Sequence, residues 1–294
     1  MATQGLTDEP YNVLLSLKER GGLGLDDLHV SLGPEHQRRV HKDDEQALKS
    51  WAEARNTRPE FASLDGPLFR LARAERQEGG GSVSLGLGLT SFAEYLVTNR
   101  EGSLRRSLLT QDGERDHGDR DAYLSNAVGC EAVLVTSDRK VVLLWRTSAD
   151  LVTPERFASA QKGRFCGPSG FPDPRRAGLT EAMEADAGAQ RRATQELFDV
   201  VLRSVSEATS VPGEHLESPR LIGCIRDSRY SKPELLFLVR SALDAAAVRS
   251  RYAEKLGESG EDNLDFWPVD SMEACPLPLS CCLRAGVACL PGGA

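Results

Sequence analysis

Four charged residues share one side of a long amphipathic segment, and their types could hold a divalent cation. The segment covers residues 190–209, and the four are Glu196, Asp199, Arg203 and Glu207. At about 100° per residue, these positions fall on one arc of a helix. Carboxylate oxygens are the ligands that Mg²⁺ takes in proteins. The spacing predicts either a metal-binding face or a solvated charged face in which Arg203 and Glu207 form an i,i+4 pair.

A second arc of the same segment is apolar, so the segment is expected to lie on a sheet. Its members are Leu197, Phe198, Val201, Val205 and Ala208. A glycine-containing loop at 163–174 precedes the helix, with Pro168, Ser169 and Gly170 at its centre. Residues 175–189, rich in Ala, Gly and charge, are interpreted as an exposed insertion between loop and helix.

Strands and helices alternate around this helix. Runs rich in β-branched and apolar residues predict strands at 129–136, 140–146, 220–226, 234–240 and 263–269, and residues 244–255 predict a helix. This order predicts an α/β sandwich, in which helices cover both faces of a mixed sheet. A smaller α+β domain precedes it. We predict domain boundaries at 1–124 and 125–275, followed by a Cys-rich tail at 276–294.

In the first part of the chain, the sequence patterns that predict helices and strands are weaker. Residues 43–55 have helical spacing, and 68–72 and 82–89 alternate like two strands of a hairpin. Thr90 or Ser91 is suited to cap a following helix. A turn is predicted at 31–34, and the charged stretch 110–121 is expected to be an irregular inter-domain loop.

Composition limits the classes of function. The 294 residues carry a formal net charge of −8, which argues against non-specific binding to nucleic acid or an acidic membrane surface. Neither a secretory signal nor an apolar run long enough to span a bilayer is visible, so a cytoplasmic location is expected. The seven cysteines match no zinc pattern. Cys281 and Cys282 are interpreted as a buried pair in a C-terminal element or, alternatively, as an acylation site.

Several segments together resemble one known family. Arg203–Val211 is similar to the second half of the Nudix box, with matches at Arg203, Val205, Glu207 and Val211. The further similarities are at 85–99, 118–119, 122–124, 163–174, 196–198 and 211–212. On these motifs the chain resembles the uridine diphosphate glucose pyrophosphatase branch of the Nudix hydrolases. The resemblance implies a Nudix-type α/β/α sandwich and an N-terminal domain that contributes to nucleotide binding.

The resemblance also implies an activity and a set of metal ligands. The expected reaction is hydrolysis of UDP-glucose or UDP-galactose to UMP and the sugar 1-phosphate, with Mg²⁺ or possibly Mn²⁺. The family's two glutamate ligands fall on Ser204 and Ala208, which supply no carboxylate. Glu207, between them, remains as the candidate catalytic and metal-binding residue. Glu196 and Asp199 are possible substitute ligands.

Four further positions are implied to contact the substrate: Leu64, Phe92, Arg146 and Asp173. Each has a simpler alternative, since Phe92 could belong to the core, Arg146 could be a solvated strand end and Asp173 could serve a turn. Three functions stay open at this point. They are a UDP-sugar diphosphatase weakened by lost ligands, a nucleotide-sugar-binding protein without hydrolysis, and a scaffold for protein contacts.

Overall fold

The computed structural model describes residues 11–55, 67–77, 82–100, 102–146, 156–159, 187–256 and 263–291. The glycine loop at 163–174 and most of the predicted insertion lie outside these residues, as do Leu64 and Asp173. For Arg146 the backbone alone is described.

Most described strands belong to one mixed sheet. In chain order the strands are β1 (Tyr11–Ser16), β2 (Leu28–Leu32), β3 (Pro67–Arg76), β4 (Val83–Ser91), β5 (Gly129–Val135), β6 (Lys140–Arg146), β7 (Arg156–Ser159), β8 (Arg220–Asp227), β9 (Pro233–Arg240) and β10 (Leu264–Pro268). The large sheet has the order β1-β8-β9-β5-β6-β10, with β7 also paired to β6. Its β5–β9 pair is parallel and its other pairs are antiparallel. The smaller sheet has the order β2-β4-β3.

Helices cover both faces of the large sheet. The helices are α1 (Asp44–Arg55), α2 (Phe92–Tyr95), α3 (Ser103–His117), α4 (Ala187–Thr209), α5 (Ala245–Leu256) and α6 (Cys281–Ala288). Helices α4 and α5 pack into one apolar core with the first face. Helix α6 packs into a second core on the opposite face. The predicted α/β sandwich with a mixed sheet is therefore confirmed.

Helix α4 lies between the two sheets. It packs against β5 of the large sheet and β2 of the small one. All members of its predicted apolar arc are buried: Leu197, Phe198, Val201, Val205 and Ala208. The Phe198 ring meets Phe237 of β9 edge to face, with 5.3 Å between the ring centroids. The 3.6-residue periodicity thus identified the buried face of α4 correctly.

The expectation of an irregular loop at 110–121 is wrong, since α3 runs through most of it. Leu109 is fully buried, and Asp112 is 5% exposed. The Asp112 carboxylate lies 3.1 Å from His41 Nε2 and 2.6 Å from an Arg115 guanidinium nitrogen. Helix α3 ends at Gly118, which has a φ of 65°, the left-handed conformation that glycine tolerates. Polar tertiary contacts, which hydrophobic periodicity does not register, hold this helix.

The turn expected at 31–34 is displaced. Ser31 and Leu32 complete β2, and a 3₁₀ turn follows at Pro34–His36. Strand β2 itself was not predicted, although its sequence alternates between buried and more exposed residues. It pairs in parallel with β4, so its partner lies far away in the sequence.

A buried arginine fixes the segment that leads from the small sheet into β5. The Arg70 guanidinium donates to the backbone carbonyls of His36, Asp121 and Leu124 at 2.9, 2.9 and 3.2 Å. Burial lowers the pKa of Arg70 to about 10. The Asp121 carboxylate pairs with Arg226 of β8 at 2.5 Å. Side chains from both sheets therefore hold this connection.

The predicted domain boundaries at residues 124 and 275 stay a prediction. Strand β1 precedes the first boundary in the sequence and pairs with β8 of the large sheet. Helix α6 follows the second boundary and packs on β5, β8 and β9. In the described parts of the chain, helices long and apolar enough to span a bilayer are absent.

Candidate functional site

The charged arc of α4 is present as predicted, and Glu196, Asp199 and Arg203 each have a side-chain partner on the same helix. Arg203 Nη2 lies 2.5 Å from Glu196 Oε1, two helical turns away. Gln195 Nε2 donates to Asp199 Oδ1 at 2.8 Å. Glu207 is exposed, and its backbone carbonyl accepts a hydrogen bond from Lys255 Nζ of α5. The carboxylates proposed as substitute ligands thus have partners within their own helix.

Ser204 and Ala208, at the family's ligand positions, lie on the buried side of α4. Ser204 is 2% exposed and Ala208 is 6% exposed. Residues four apart share a helix face, so both point the same way. Ser204 Oγ is buried, and no hydrogen-bond partner for it lies within the described residues. A buried hydroxyl and a methyl group stand where the family has two carboxylates.

The described residues of α4 do not fit the Mg²⁺ that the resemblance implies. Mg²⁺ requires oxygen ligands in near-octahedral geometry. Across the described parts of the chain, no group of three or more His, Cys, Asp or Glu side chains is arranged to hold a metal ion. Glu207 as metal ligand and catalytic residue stays a prediction, as do Glu196 and Asp199 as substitutes.

The C-terminal end of α4 departs from the Nudix box at a further position. Ser210 stands where the box has glycine, and its φ of 62° is left-handed. Its backbone N–H donates to the Ser206 carbonyl at 2.8 Å, which closes the last turn of the helix. The buried Ser210 Oγ lacks a hydrogen-bond partner in the described structure. A side chain with a Cβ is therefore held in a conformation that favours glycine.

Ser210→Gly is expected to raise the free energy of unfolding by about 1 kcal/mol, because glycine adopts left-handed φ without the Cβ clash. Urea denaturation of both proteins measures the difference. Ser206→Gly is the matched control, since it makes the same change within the regular part of α4. It should lower stability by about 0.5 kcal/mol. Equal losses in the two variants would contradict strain at Ser210.

Phe92 begins α2, where a reciprocal cap sets its position. Ser91 Oγ accepts from the Glu94 backbone N–H at 3.2 Å, and Glu94 Oε2 accepts from the Ser91 backbone N–H at 3.0 Å. The predicted N-cap at 90–91 is thus confirmed at Ser91. Phe92 is 4% exposed and packs in a cluster with Trp51, Leu68 and Tyr95. This is the core environment that the simpler interpretation expects, and contact with uracil stays a prediction.

The remaining implied substrate contacts lie beyond what the structure describes. Leu64 and Asp173 are outside the described residues. The Arg146 backbone pairs with Arg156 at the end of the β6–β7 ladder. The structure therefore places Phe92 in a packed cluster and the α4 acids on a helix face, and the implied substrate contacts stay predictions.

Sequence reasoning missed a buried ion pair on the face of the large sheet that carries α6. Lys232 Nζ lies 2.6 Å from Glu234 Oε1, with side-chain exposures of 2% and 5%. A Cβ added at Gly129 of β5 would lie 1.8 Å from Glu234 Oε2, so the pair needs glycine there. A visible signal was the alternation of Lys232 and Glu234 next to an otherwise apolar strand.

The two members of this pair respond differently to burial. Burial raises the pKa of Glu234 to about 7 against the attraction of Lys232, and nearby Glu131 adds to the rise. Burial alone would lower the pKa of Lys232, but the negative charge of Glu234 outweighs it and the pKa is raised. The pair therefore favours the charged form of Lys232, whereas burial disfavours the charged form of Glu234.

The chain has sequence relatives that match it over most of its length. No family model matches. The uridine diphosphate glucose pyrophosphatase NUDT22 of Mus musculus is 30% identical over 255 residues, which cover 83% of this chain and 77% of the relative. The protein of the same name from Homo sapiens is 29% identical over 88% of this chain and 83% of its own length. Nudix hydrolase 9 of Arabidopsis thaliana is 26% identical over 87% of this chain and 80% of its own length.

Solved structures also show similarity to this chain. One is a Nudix hydrolase from M. smegmatis, RenU, which is 13% identical and covers 55% of this chain and 83% of its own. The TM-score of this match is 0.29. The similarity to known proteins therefore rests on the sequence relatives.

Proposed function

Since the chain belongs to the Nudix hydrolases, in the branch of the uridine diphosphate glucose pyrophosphatases, we propose that it is a UDP-sugar diphosphatase with weakened turnover. Its substrates would be UDP-glucose or UDP-galactose, and its products UMP and the sugar 1-phosphate. The observation that carries the proposal is the likeness to relatives of that name over most of both chains. The weakening is inferred from Ser204 and Ala208, the uncharged residues at the implied ligand positions.

The proposed hydrolysis requires the protein to bind the substrate, to orient it and to stabilise the charge on its phosphoryl oxygens. Water must approach one phosphorus of the diphosphate in line with the leaving oxygen, and basic groups stabilise the charge on the phosphoryl oxygens. Arg146, at the end of β6, is proposed to bind phosphate, and Phe92 to contact the uracil. Glu207 is the carboxylate proposed to accept a proton or hold a cation. Mg²⁺ or Mn²⁺ would supply Lewis acidity when bound, and Glu207 alone would not complete its set of ligands.

A second candidate function is favoured by the buried state of Ser204 and Ala208. Losing one electrostatic contact to a transition state costs about 10²- to 10³-fold in rate, and two positions are changed here. A protein that binds UDP-sugars without cleaving them would retain the fold and the nucleotide contacts. It would need none of the missing carboxylates.

One experiment separates the two functions. Purified protein is incubated with UDP-glucose and Mg²⁺ or Mn²⁺, UMP is measured, and thermal unfolding is followed on the same samples. UMP release supports the diphosphatase. Stabilisation by UDP-glucose without UMP supports the binding protein, since ligand at about 100 times its Kd adds about 2.7 kcal/mol. If UMP is not released and UDP-glucose does not stabilise the protein, both functions are contradicted and a scaffold for protein contacts is favoured.

Glu207→Gln tests the proposed role of the carboxylate between Ser204 and Ala208. Where wild-type protein releases UMP, the variant is expected to be slower by about 10²-fold, because the amide carries no charge. Glu214→Gln, an exposed glutamate just beyond α4, is the matched control and should leave the rate unchanged. If the Glu207→Gln variant keeps the wild-type rate of UMP release, the proposed role of Glu207 is contradicted.

A further inference from the structure

Helix α3 carries an apolar strip on its solvent side. Leu104 is 86% exposed, and Leu108, one turn later, is 45% exposed. Gln111 and Arg115 continue the same line and are exposed as well. Their spacing alternates between steps of four and three residues, as the contact positions of a coiled coil do. These four residues are called the α3 strip, and the opposite side of the helix buries Leu109.

The α3 strip lies in one of two places where large apolar side chains reach solvent. Within the described ranges, the exposed large hydrophobic residues are Val13, Leu14, Val40, Leu104 and Leu108. The first two lie on β1. Val40 belongs to the segment beside α3, since the next residue, His41, contacts Asp112 of that helix. Apolar side chains gathered on one surface indicate a contact site, whereas scattered single ones need no explanation.

The charges of α3 run against its dipole. A helix favours acids near its N-terminus and bases near its C-terminus. The first half of α3 carries two arginines and no acid in its first turn, and the second half carries three acids and one arginine. In chain order these residues are Arg105, Arg106, Asp112, Glu114, Arg115 and Asp116. The helix therefore has a basic half and an acidic half, which are complementary to a second α3 only when the two run antiparallel.

We propose that α3 docks antiparallel on α3 of a second copy of this chain, about a two-fold axis at the middle of the helix. A two-fold contact brings the same surface of both copies together, so the α3 strip meets itself. The antiparallel order places the basic half of each helix against the acidic half of the other, with Arg105 facing the partner's Glu114. The two helix dipoles are then also opposed, which is their favourable arrangement.

The charges also select the register of the two strips. With the axis between positions 109 and 110, Leu108 meets Gln111 of the partner subunit. Leu104 then packs on the aliphatic stem of the partner's Arg115, whose charged end stays in water. A register that set Leu104 on the partner's Leu108 would instead bring Arg105 of the two copies together. The first register therefore buries the leucines without opposing like charges.

The contact is small, so the dimer is weak and reversible. Helix α3 has 15 residues and is therefore about 22 Å long. One helix pair of this length falls below the roughly 1,200 Å² that a stable specific interface buries, and a Kd on the order of 100 µM is expected. The part of the affinity that comes from charge should weaken with salt. The dimer does not depend on UDP-sugar hydrolysis.

Sedimentation equilibrium of the full-length protein measures the association. Between about 10 µM and about 1 mM, the average mass should rise from one chain towards two and fall again on dilution. Raising the ionic strength from about 0.05 to about 0.5 M should weaken the association about threefold. A mass of one chain at every concentration would overturn the proposal. Growth beyond two chains would do so as well, because a two-fold contact closes on itself.

The direction of the helices is tested by Glu114→Arg. In the antiparallel pair the new arginine faces Arg105 of the partner subunit, so the Kd should rise about fivefold at low salt. In a parallel pair position 114 would face itself, and the reversal would change nothing. Glu254→Arg, at an exposed glutamate of α5, is the matched control and should associate like the wild type. An unchanged Kd in Glu114→Arg would contradict the antiparallel arrangement.

Single variants locate the contact. Leu104→Ser and Leu108→Ser are each expected to raise the Kd at least about tenfold, because each removes an apolar side chain from both halves of the interface. Both side chains are exposed in one chain, so thermal unfolding should stay close to that of the wild type. Val13→Ser, at an exposed apolar residue of β1, is the matched control and should associate like the wild type. Wild-type association in Leu108→Ser would overturn the proposal, as would loss of association confined to Val13→Ser.

Discussion

Lys232→Met lowers the free energy of unfolding by about 3 to 5 kcal/mol, the expected result of removing one partner from a buried ion pair. Lys232 Nζ is the donor to Glu234 Oε1, and Glu234 is 4% exposed. Without the ammonium, the carboxylate keeps its burial and its neighbour Glu131 but loses its attraction. Urea denaturation at neutral pH, extrapolated linearly to water, measures the loss.

Two further proteins show whether the pair itself is responsible. Lys49→Met is the matched control, because Lys49 pairs with Glu45 on the solvent side of α1 with 69% exposure. It should change stability by less than about 1 kcal/mol. Lys232→Met combined with Glu234→Leu should recover most of the lost stability, since no buried charge is left alone. If Lys232→Met lowers the free energy of unfolding no more than Lys49→Met does, the stabilising interaction assigned to Lys232 and Glu234 is contradicted.

Ser204→Glu combined with Ala208→Glu is expected to increase Mg²⁺-dependent UMP release from UDP-glucose by more than about 10³-fold, because two carboxylates return to the positions where the family has them. Both positions are buried, at 2% and 6% exposure. Glutamates there repel each other and lose hydration, so the metal-free double variant should unfold at a lower temperature than the wild type. Mg²⁺ should restore that temperature.

Ser206→Glu provides the comparison for this double variant. Ser206 lies half-buried on the same helix, so its variant adds a glutamate without restoring a ligand position. It should show neither faster UMP release nor stabilisation by Mg²⁺. A double variant that folds, and that responds to Mg²⁺ no more than Ser206→Glu does, would contradict the alignment of Ser204 and Ala208 with the family's ligands.

Local sequence patterns correctly predicted the elements that are determined mainly by the burial of their apolar side chains. The buried arc of α4 was predicted correctly because its side chains follow the 3.6-residue repeat of a helix with one buried side. The β5–β6 hairpin was predicted correctly from its rich β-branched content around a short polar turn. The helix at Ala245–Leu256 and the strand at Leu264–Pro268 were found for the same reason.

The elements that were missed depend on contacts distant in sequence. Helix α3 buries Asp112, whose partner His41 lies 71 residues earlier, so no local repeat reveals it. Strand β2 gains its partner only when β4 lies beside it. Helix α6 follows Pro276 and Pro278 and begins at the Ser280 cap, a signal that sequence analysis passed over.

The candidate site was predictable in outline. The absence of carboxylates at Ser204 and Ala208 is visible in the sequence, whereas their burial is a property of how α4 lies between two sheets. The Glu196–Arg203 contact spans seven residues, beyond the i,i+4 spacing considered for Arg203. The pairing of Lys232 with Glu234 depends on the space left by Gly129 on a neighbouring strand.

The pairing of β1 with β8 sets an order of events during synthesis. Tyr11 lies opposite Asp227, so the first strand leaves the ribosome about 200 residues before its partner exists. At about 5 to 20 residues per second, this amounts to about 10 to 40 s. Val13 and Leu14 are 55% and 39% exposed even when β1 is paired. A nascent chain therefore carries an unpaired apolar strand throughout that interval, which is the species that a chaperone would meet.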